Sequence, residues 1–354
     1  MEPSDSRRKN GLIMPPPISI IIPAFNEVAF CRRCIASIFA HTQDRPYRLI
    51  LVDNGSTDGV GEYFDSVPGA TVIHAEKNLG FAGGVNLGLA HAEGHVLLLN
   101  NDTLVPMGWL GRLANALESA ENIGMVGPRS NCVSGDQQID GLSFASMDEI
   151  NAFADEWAAR NAGRLRDVSR LVGFCLLIRR EAFETVGLFD ESFGIGNYED
   201  DDYGCRVMDA GYRLCIAEEA FVFHFGSRTF HGMGMTDEEW RALMESNRRI
   251  FVSKRRKAGD DRPEASRVSL SLNRQAAQAV IEGDDLAALR HLKSAIERDP
   301  RMAVNYRDLA ALLRKMGMHE KASEYLELAA RMETGDTTTP GGTLSRGDCD
   351  SRIP

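Results

Sequence analysis

The sequence predicts an α/β fold in which a doubly wound sheet is followed by a small all-α module. In the first half of the chain, apolar runs typical of buried strands alternate with segments of helical apolar spacing. Near the C-terminus, similar residues recur 34 positions apart, as in Ala288 and Ala322, which is a period typical of helical repeats. These patterns predict five regions: a disordered tail over 1–17, an α/β domain over 18–255, a linker over 256–269, helical repeats over 270–334 and a disordered tail over 335–354.

The first elements follow from the apolar pattern. Ile18–Pro23 is a β-branched run stopped by proline and predicts a buried strand. A helical pattern over Ala29–Ala40 and a second apolar run, Arg48–Val52, complete a right-handed parallel unit. The same alternation then predicts a strand over 70–74, a Gly-rich loop and helix over 77–92, and a strand over 97–99.

Later segments of this domain continue the mixture of strands and helices. Their patterns predict helices over 108–120, 147–162 and 181–187, and strands over 123–128, 170–179 and 221–225.

Composition limits the classes of partner and compartment. The net charge of −11 and the pI near 5.3 argue against nucleic acid as a partner. Seven cysteines, an odd number, predict reduced thiols in a cytoplasmic protein. Cys31 and Cys34 have CxxC spacing but lack a second pair, so core positions are favoured over a redox or metal site. The basic run 247–257 indicates either a solvated helix end or peripheral contact with the inner face of the membrane.

Carboxylates follow two of the predicted strands. Asp102 comes directly after Leu97–Leu99 and two asparagines, and Asp53 follows the second strand. The carboxyl edge of such a sheet binds ligands, so Asp102 is a candidate for holding a cation at nucleotide phosphates and Asp53 for binding a base or ribose. In the alternative interpretation, both residues only form turns.

Four consecutive acidic residues, Glu199 to Asp202, stand at a predicted helix start. Helix N-termini favour negative charge, which explains one or two of the four. Crowded carboxylates also raise the proton affinity of one another, which suits a general base. His224, on an apolar strand, is by itself more typical of a core histidine.

Two common nucleotide signatures are missing from the sequence. The first strand-to-helix turn has no GxGxxG, and the chain has no GxxxxGK[ST]. A dinucleotide-dependent oxidoreductase and a P-loop enzyme are therefore disfavoured.

Seven ordered motifs resemble those of family 2 glycosyltransferases with the GT-A fold, and most of all the rhamnosyltransferase-like members. They span about residues 18 to 253: SIIIPAFNE, VDNGSTDG, KNLGFAGGVNLGL, LLLNNDT, GFCLLIRREAFETVGLFDESF, YEDDDYGCR and VFHFGS.

The resemblance implies a role for each matching residue. A nucleotide-sugar site would be formed by Pro23, Ala24, Asn26, Glu27, Asp53, Asn78, Gly80, Gly83, Asn86 and Asn101, with Asp53 at the base. Asp102 matches the last carboxylate of a DxD-like motif that binds Mn²⁺ or Mg²⁺, and His224 would complete that site. Asp200 matches the catalytic base, with Glu199 and Asp202 as second candidates. The first position of the DxD-like motif is Asn100, which supplies no charge to a cation.

The implied activity is inverting transfer from a nucleoside diphosphate sugar to a glycan, lipid-linked or protein acceptor. The alternatives are a nucleotidyltransferase and a nucleotide-binding scaffold that works through its repeats. For the tetratricopeptide-like repeats, the sequence indicates either a protein contact, such as an acceptor protein, a partner enzyme or a dimer mate, or a helical cap without a partner.

Overall fold

The computed structural model describes residues 8–9, 12–13, 17–226, 235–257, 264–281, 283–300 and 302–333. Clustering of contacts divides the chain into two compact units, residues 1–260 and 261–354. The predicted tail over 335–354, residues 258–263 of the predicted linker and most of the predicted tail over 1–17 lie outside the described residues.

The first unit contains a mixed sheet of eight strands. Two short strands pair near the N-terminus, β1 (Arg8–Lys9) and β2 (Leu12–Ile13), and a second small pair consists of β7 (Thr103–Leu104) and β12 (Phe223–His224). The strands of the main sheet are β3 (Ile18–Ala24), β4 (Tyr47–Asp53), β5 (Thr71–His74), β6 (His95–Leu99), β8 (Ile123–Arg129), β9 (Leu165–Val168), β10 (Cys175–Ile178) and β11 (Arg213–Phe221).

The strand order is β5-β4-β3-β6-β10-β8-β11-β9. The first four strands are parallel, which confirms the doubly wound half. β10 runs antiparallel to both of its neighbours, and β9 is antiparallel to β11. The carboxyl ends of β3, β4 and β6 therefore meet at one edge, as parallel pairing requires.

Helices cover both faces of this sheet. They are α1 (Val28–His41), α2 (Val60–Asp65), α3 (Gly80–Leu89), α4 (Trp109–Glu118), α5 (Met147–Asn161), α6 (Arg180–Val186), α7 (Glu199–Asp209) and α8 (Asp237–Lys257). Alternation along β3 divides the core, because Ile20 and Ile22 pack in one cluster with α1 and α4. Ile21 packs in the other cluster with α3 and α7.

Three predicted elements differ from the structure. The strand predicted over 170–179 is only Cys175–Ile178, and the one predicted over 221–225 is interrupted at Val222. Most of the Gly-rich segment predicted as a loop is helical, because α3 begins at Gly80.

Strands β9 and β11 were missed by the sequence reasoning. β11 contains the consecutive acids Glu218 and Glu219, which obscure its apolar pattern. Glu218 is buried and pairs with Arg129 at 2.9 Å and with Arg166 at 2.7 Å. These distant cations make a charged residue compatible with a buried strand.

The second unit contains four described helices around one apolar core: α9 (Glu264–Ile281), α10 (Asp285–Arg298), α11 (Ala303–Lys315) and α12 (His319–Glu333). α9 begins inside the predicted linker 256–269. Ala288 and Ala322 are both fully buried, and Gly283 and Gly317 both have φ of +80°. Equivalent positions thus share an environment, while the tetratricopeptide assignment stays a prediction.

Candidate active site

Asp102 and His224 lie side by side beyond the end of β6. In the short β7–β12 pair, His224 is opposite Thr103, and the Phe225 N–H donates to the Asp102 carbonyl at 3.0 Å. This pairing brings His224 Nε2 to 3.2 Å from Asp102 Oδ1. Both side chains are buried, so the main chain fixes a carboxylate and an imidazole together.

The imidazole is oriented through its other nitrogen. His224 Nδ1 lies 2.7 Å from the Cys132 carbonyl, which can only accept, so Nδ1 carries a proton. The side chain of Asn131 holds the His224 main chain on both sides, at 2.9 and 3.0 Å. Burial lowers the pKa of His224, but the Asp102 charge, the hydrogen bond to Asp102 and the Cys132 carbonyl together raise it above the usual value.

This arrangement fits a divalent cation. When Nδ1–H donates to a carbonyl, the Nε2 lone pair is available, and such outer hydrogen bonds are typical of metal-binding histidines. Asp102 adds a hard oxygen ligand at the same point. Among the described residues, no three His, Cys, Asp or Glu side chains cluster as a metal site. Within the described ranges, Asp102 and His224 are thus two candidate ligands, and further positions would suit oxygens of a bound diphosphate.

The four acids at the start of α7 have different partners. Asp200 accepts two main-chain N–H groups, from Gly173 at Oδ2 and from Asp201 at Oδ1, both at 2.8 Å. Burial and then the neighbouring Asp201 charge raise the pKa of Asp200, against the lowering effect of Arg170. A fixed carboxylate with a raised pKa suits a general base.

Asp201 and Asp202 are each paired with cations. Asp201 accepts from Arg170 at 2.9 Å. Asp202 accepts from Arg206 at 2.9 Å and contacts Lys254 of α8 at 2.7 Å. Two cations hold the Asp202 carboxylate, which favours Asp200 over Asp202 as the candidate base.

Glu199 is buried, and none of the described residues hydrogen-bonds its Oε2 atom. Burial, and then the Asp200 charge, raises its pKa well above the usual value for a glutamate. Burial beside Asp200 therefore favours the protonated form of Glu199 more than it would in an exposed glutamate.

Two adjacent residues connect the acidic cluster with the histidine. The Gly173 N–H donates to Asp200, while the Phe174 carbonyl accepts from the Asn100 N–H at 2.8 Å. The Phe174 ring stacks on the His224 ring with centroids 5.2 Å apart. The segment before β10 therefore lies between Asp200 and the Asp102–His224 pair and belongs to both.

The loop after β3 is held in an unusual conformation. Pro23 and Ala24 end β3 beside Val52 and Asp53. Asn26 and Glu27 follow with φ of 59° and 66°, in the left-handed region.

Hydrogen bonds to residues after β4 hold this loop in place. Asn26 Oδ1 accepts from the Thr57 N–H at 2.9 Å, and the Asn26 N–H donates to Ser56 Oγ at 2.9 Å. The predicted nucleotide-binding residues at the ends of β3 and β4 thus lie at one edge of the sheet, and these hydrogen bonds hold that edge in place.

The turn before α3 is fixed by its own side chains. Asn78 Oδ1 accepts from the Gly80 N–H at 2.8 Å, and Asn54 donates to the Gly80 carbonyl at 2.9 Å. Gly80 has φ of +75°, and a Cβ atom there would lie 1.9 Å from the Gly194 carbonyl oxygen. At Gly83, a Cβ atom would lie 2.7 Å from Leu79 Cβ. The turn requires glycine at both positions.

Two predicted nucleotide-sugar residues use their side chains elsewhere. Asn86 donates to the Phe189 carbonyl and to Glu191, and accepts from the Phe189 N–H, so it connects α3 to a distant segment. Asn101 is buried and donates to Cys31 Sγ of α1 at 3.3 Å. The structure therefore argues against Asn101 as a ligand through its side chain, because that side chain faces the core.

The CxxC thiols belong to this core. Burial is the main cause that raises the pKa of both Cys31 and Cys34 to about 12. Both thiols occupy core positions, which the sequence favoured, and the raised pKa disfavours the reactive thiolate.

Other residues near the site were missed by the sequence reasoning. Gly173 and Phe174 lie in an apolar run without any local sign of function. Asn247 of α8 donates to the carbonyls of Phe193, Gly196 and Asn197, which are residues of the loop that enters α7. His74 ends β5 beside Asp53 and could have been noticed as a polar residue at a strand end.

A cavity of about 540 Å³ opens at the opposite, amino-terminal ends of β4 and β5. It is lined by Tyr47, Arg48, Thr71, His91 and others, and by none of the predicted site residues. The chemistry is concentrated at the carboxyl edge.

Comparison with known proteins gives the family. Residues 19–187 match the model of glycosyl transferase family 2. An uncharacterized protein from Mycobacterium tuberculosis H37Rv is 33% identical over 220 residues, which cover 60% of this chain and 75% of the relative. The chain belongs to glycosyl transferase family 2. It is therefore a glycosyltransferase.

Several named proteins are similar to this family member. An N-acetylglucosaminyl-diphospho-decaprenol L-rhamnosyltransferase from M. tuberculosis H37Rv is 27% identical over 264 residues, covering 67% of this chain and 84% of the relative. Glycosyltransferase AglE from Haloferax volcanii is 25% identical over 220 residues, covering 59% of this chain and 67% of AglE.

Two solved glycosyltransferases are similar in structure. A mannosyltransferase from Pyrobaculum calidifontis in complex with GDP-Man and Mn²⁺ has a TM-score of 0.48 and 20% identity, covering 91% of this chain and 88% of that one. GalNAc-T7 with UDP, GalNAc and Mn²⁺ also has a TM-score of 0.48, with 16% identity, and the match covers 59% of this chain and 43% of that one.

Within the part of the chain that the structure describes, no helix combines the length and the apolar character needed to cross a membrane.

Proposed function

We propose that this protein transfers a sugar from a nucleoside diphosphate sugar to an acceptor hydroxyl, with inversion at the anomeric carbon. Asp102 and His224 would hold Mn²⁺ or Mg²⁺ at the diphosphate, and Asp200 would be the general base. The observation that carries the proposal is the 3.2 Å approach of His224 Nε2 to Asp102 Oδ1, joined through Gly173 and Phe174 to Asp200.

The leaving-group side is formed by β6 and the β7–β12 pair. A bound divalent cation would neutralise the charge that develops on the departing diphosphate. Asp102 and His224 are fixed by main-chain pairing and by the Cys132 carbonyl, so their positions need no rearrangement. Asn100 contributes no charge, so the strand end that carries it provides one carboxylate, that of Asp102, for this purpose.

The acceptor side is formed by α7. Asp200 would take the proton of the acceptor hydroxyl as that oxygen attacks the anomeric carbon and the bond to the diphosphate breaks. Two main-chain donors fix its carboxylate, and burial raises its pKa toward the range useful for a base.

Inversion is supported by the partners of the other acids. Asp201 and Asp202 are paired with cations, and burial raises the pKa of Glu199 well above its usual value. Asp200, held by two main-chain N–H groups, is then the favoured base, and one base suits a single displacement. Product NMR that shows the donor's anomeric configuration retained would overturn this part of the proposal.

The acceptor and partners are proposed as classes. The acceptor would be a hydroxyl of a glycan, a lipid-linked sugar or a protein. The similarity to a rhamnosyltransferase supports including deoxyhexose donors among those tested. The helices of the second unit would contact an acceptor protein, a partner enzyme or a second copy, because two helical hairpins are fewer than the three repeats that usually stand alone.

The test is thermal unfolding with UDP, dTDP, GDP and CMP sugars, each with and without Mn²⁺ or Mg²⁺. One nucleotide class should stabilise the protein, and the metal should increase that stabilisation. Asp102→Asn should lose the increase, whereas Asp285→Asn, which removes an ion pair in the second unit, should retain it. No stabilisation by any donor would overturn the proposed function.

A further inference from the structure

His74 is held between two carboxylates at the predicted base-binding edge. Its Nδ1 atom lies 3.1 Å from Asp53 Oδ2, and its Nε2 atom lies 3.0 Å from Asp65 Oδ1. His74 stands directly opposite Asp53 in the parallel pairing of β5 with β4. Asp65 is the last residue of α2. Both ring nitrogens therefore face acceptors that belong to different elements.

Neighbouring groups pack closely around Asp53 and His74. Asp53 Oδ1 accepts from the Ser56 N–H at 2.9 Å, so the carboxylate is held at both oxygens. A Cβ atom on Gly61 of α2 would lie 2.8 Å from Asp53 Oδ2 and 3.5 Å from the His74 ring. Gly61 thus lets α2 pack against the pair without displacing the carboxylate.

Only a doubly protonated imidazole can donate to both carboxylates. A neutral ring has one N–H, so its other nitrogen would turn a lone pair toward an anionic oxygen. We propose that His74 is a positioning residue that holds the Asp53 carboxylate for the donor's base, and that protonation of His74 sets the pH dependence of donor binding. This inference rests on the proposed function, since Asp53 must contact the nucleotide.

The direction of the effect follows from the charges. Among the described residues, the charged groups placed against the ring are Asp53 of β4 and Asp65 of α2. The hydrogen bond to Asp53, and then the one to Asp65, raises the pKa of His74 above its ordinary value. The imidazolium therefore persists to a higher pH than that of a free histidine, and donor affinity should fall as the pH rises through that raised pKa.

The experiment measures the dissociation constant of the stabilising nucleoside diphosphate between pH 5.5 and 9 for the wild-type chain and for His74→Gln. Titration of the ligand's phosphate and of His224 is common to both proteins, so the ratio of the two constants isolates His74. We expect the wild type to bind about threefold to tenfold more tightly at low pH and the ratio to approach one at high pH.

Two further variants sharpen the test. Asp65→Asn removes one charge from the ring but leaves Asp53 in place, so the pH midpoint should move down. His91→Gln changes an exposed histidine at the far cavity and should leave the profile unchanged.

The possible failures are distinguishable. If the wild type binds nucleotide but His74→Gln gives a constant ratio of affinities across the pH range, the role of His74 is wrong and the proposed function stands. If the wild type binds no nucleotide at any pH, the proposed function fails, and this inference fails with it.

Discussion

The two acidic regions of the site differ in how their carboxylates are neutralised. Asp102 stands alone at a strand end and meets one histidine that arrives from β12. The helix start carries four consecutive acids, of which two are paired with cations: Asp201 with Arg170, and Asp202 with Arg206 and Lys254. Gly173 and Phe174 thus lie between the strand end that carries Asp102 and the helix start that carries four acids.

The difference shows that the partners of a carboxylate, more than its position in a cluster, decide its chemistry. Main-chain pairing brings Asp102 and His224 together, with His224 Nε2 3.2 Å from Asp102 Oδ1. In α7, two cations pair with Asp202, burial raises the pKa of Glu199, and two N–H groups fix Asp200. Each region would therefore supply one active carboxylate, one for each side of the displacement.

The largest effect should come from Asp102→Asn. This variant removes the carboxylate of the Asp102–His224 pair. The rate of sugar transfer should fall about a thousandfold, because stabilisation of the transition-state charge by a cation is worth several kcal/mol. Steady-state kinetics at several metal concentrations should also show a higher metal requirement. A variant with a wild-type rate and metal dependence would contradict the assignment of Asp102.

Asp200→Asn should follow closely, with a loss of about a hundredfold to a thousandfold in kcat, because an amide cannot take the acceptor proton. Donor binding should be unchanged. In the wild type, the raised pKa of Asp200 places the acid limb of kcat/KM above the ordinary aspartate value, with activity falling as the pH falls. If the variant keeps its activity, Asp200 is not the base, and the role moves to Glu199 or Asp202.

Gly80→Ala should lower the free energy of unfolding by about 3 kcal/mol or more and weaken donor binding. The added Cβ would overlap the Gly194 carbonyl and also require an unfavourable φ. Gly69→Ala is the matched control, because Gly69 has φ of +74° but no atom within 4 Å of its Cβ position. Chemical denaturation of both variants separates the cost of the positive φ, which both positions share, from the cost of the steric overlap, which only Gly80→Ala has. Equal losses of unfolding free energy in the two variants would contradict the overlap with Gly194.

Asp202→Asn should affect stability more than catalysis. It leaves Arg206 and Lys254 without their shared carboxylate, and both cations remain partly solvated, so a loss of about 1–3 kcal/mol is expected. The kcat of the folded variant should be within about threefold of the wild type. A loss of activity as large as that of Asp200→Asn would restore Asp202 as a candidate base.

Local patterns of apolar residues predicted much of the fold but less of the candidate site. The β-branched run that predicted Ile18–Pro23 and the leucines before Asp102 gave the parallel half, because buried parallel strands are continuously apolar. β11 was missed because Glu218 is neutralised by Arg129 and Arg166, which are distant in sequence.

Which predicted site residues have side chains engaged by the protein itself also depends on contacts with residues distant in sequence. Nothing near Asp202 in the sequence indicates Lys254, and nothing near Asn101 shows that its amide meets Cys31. The seven ordered motifs suggested Asp102 and His224 together. Apolar spacing alone favoured a core histidine, since pairing across more than a hundred residues leaves no local signal.

The most direct test of the division between the two regions compares Asp102→Asn with Asp200→Asn in one pair of measurements. Metal-dependent nucleotide affinity is measured by calorimetry, and single-turnover transfer is measured on the same preparations. We expect Asp102→Asn to lose both, whereas Asp200→Asn should bind the nucleotide with wild-type metal dependence and lose only transfer. Equal loss of nucleotide affinity in both variants would contradict this division.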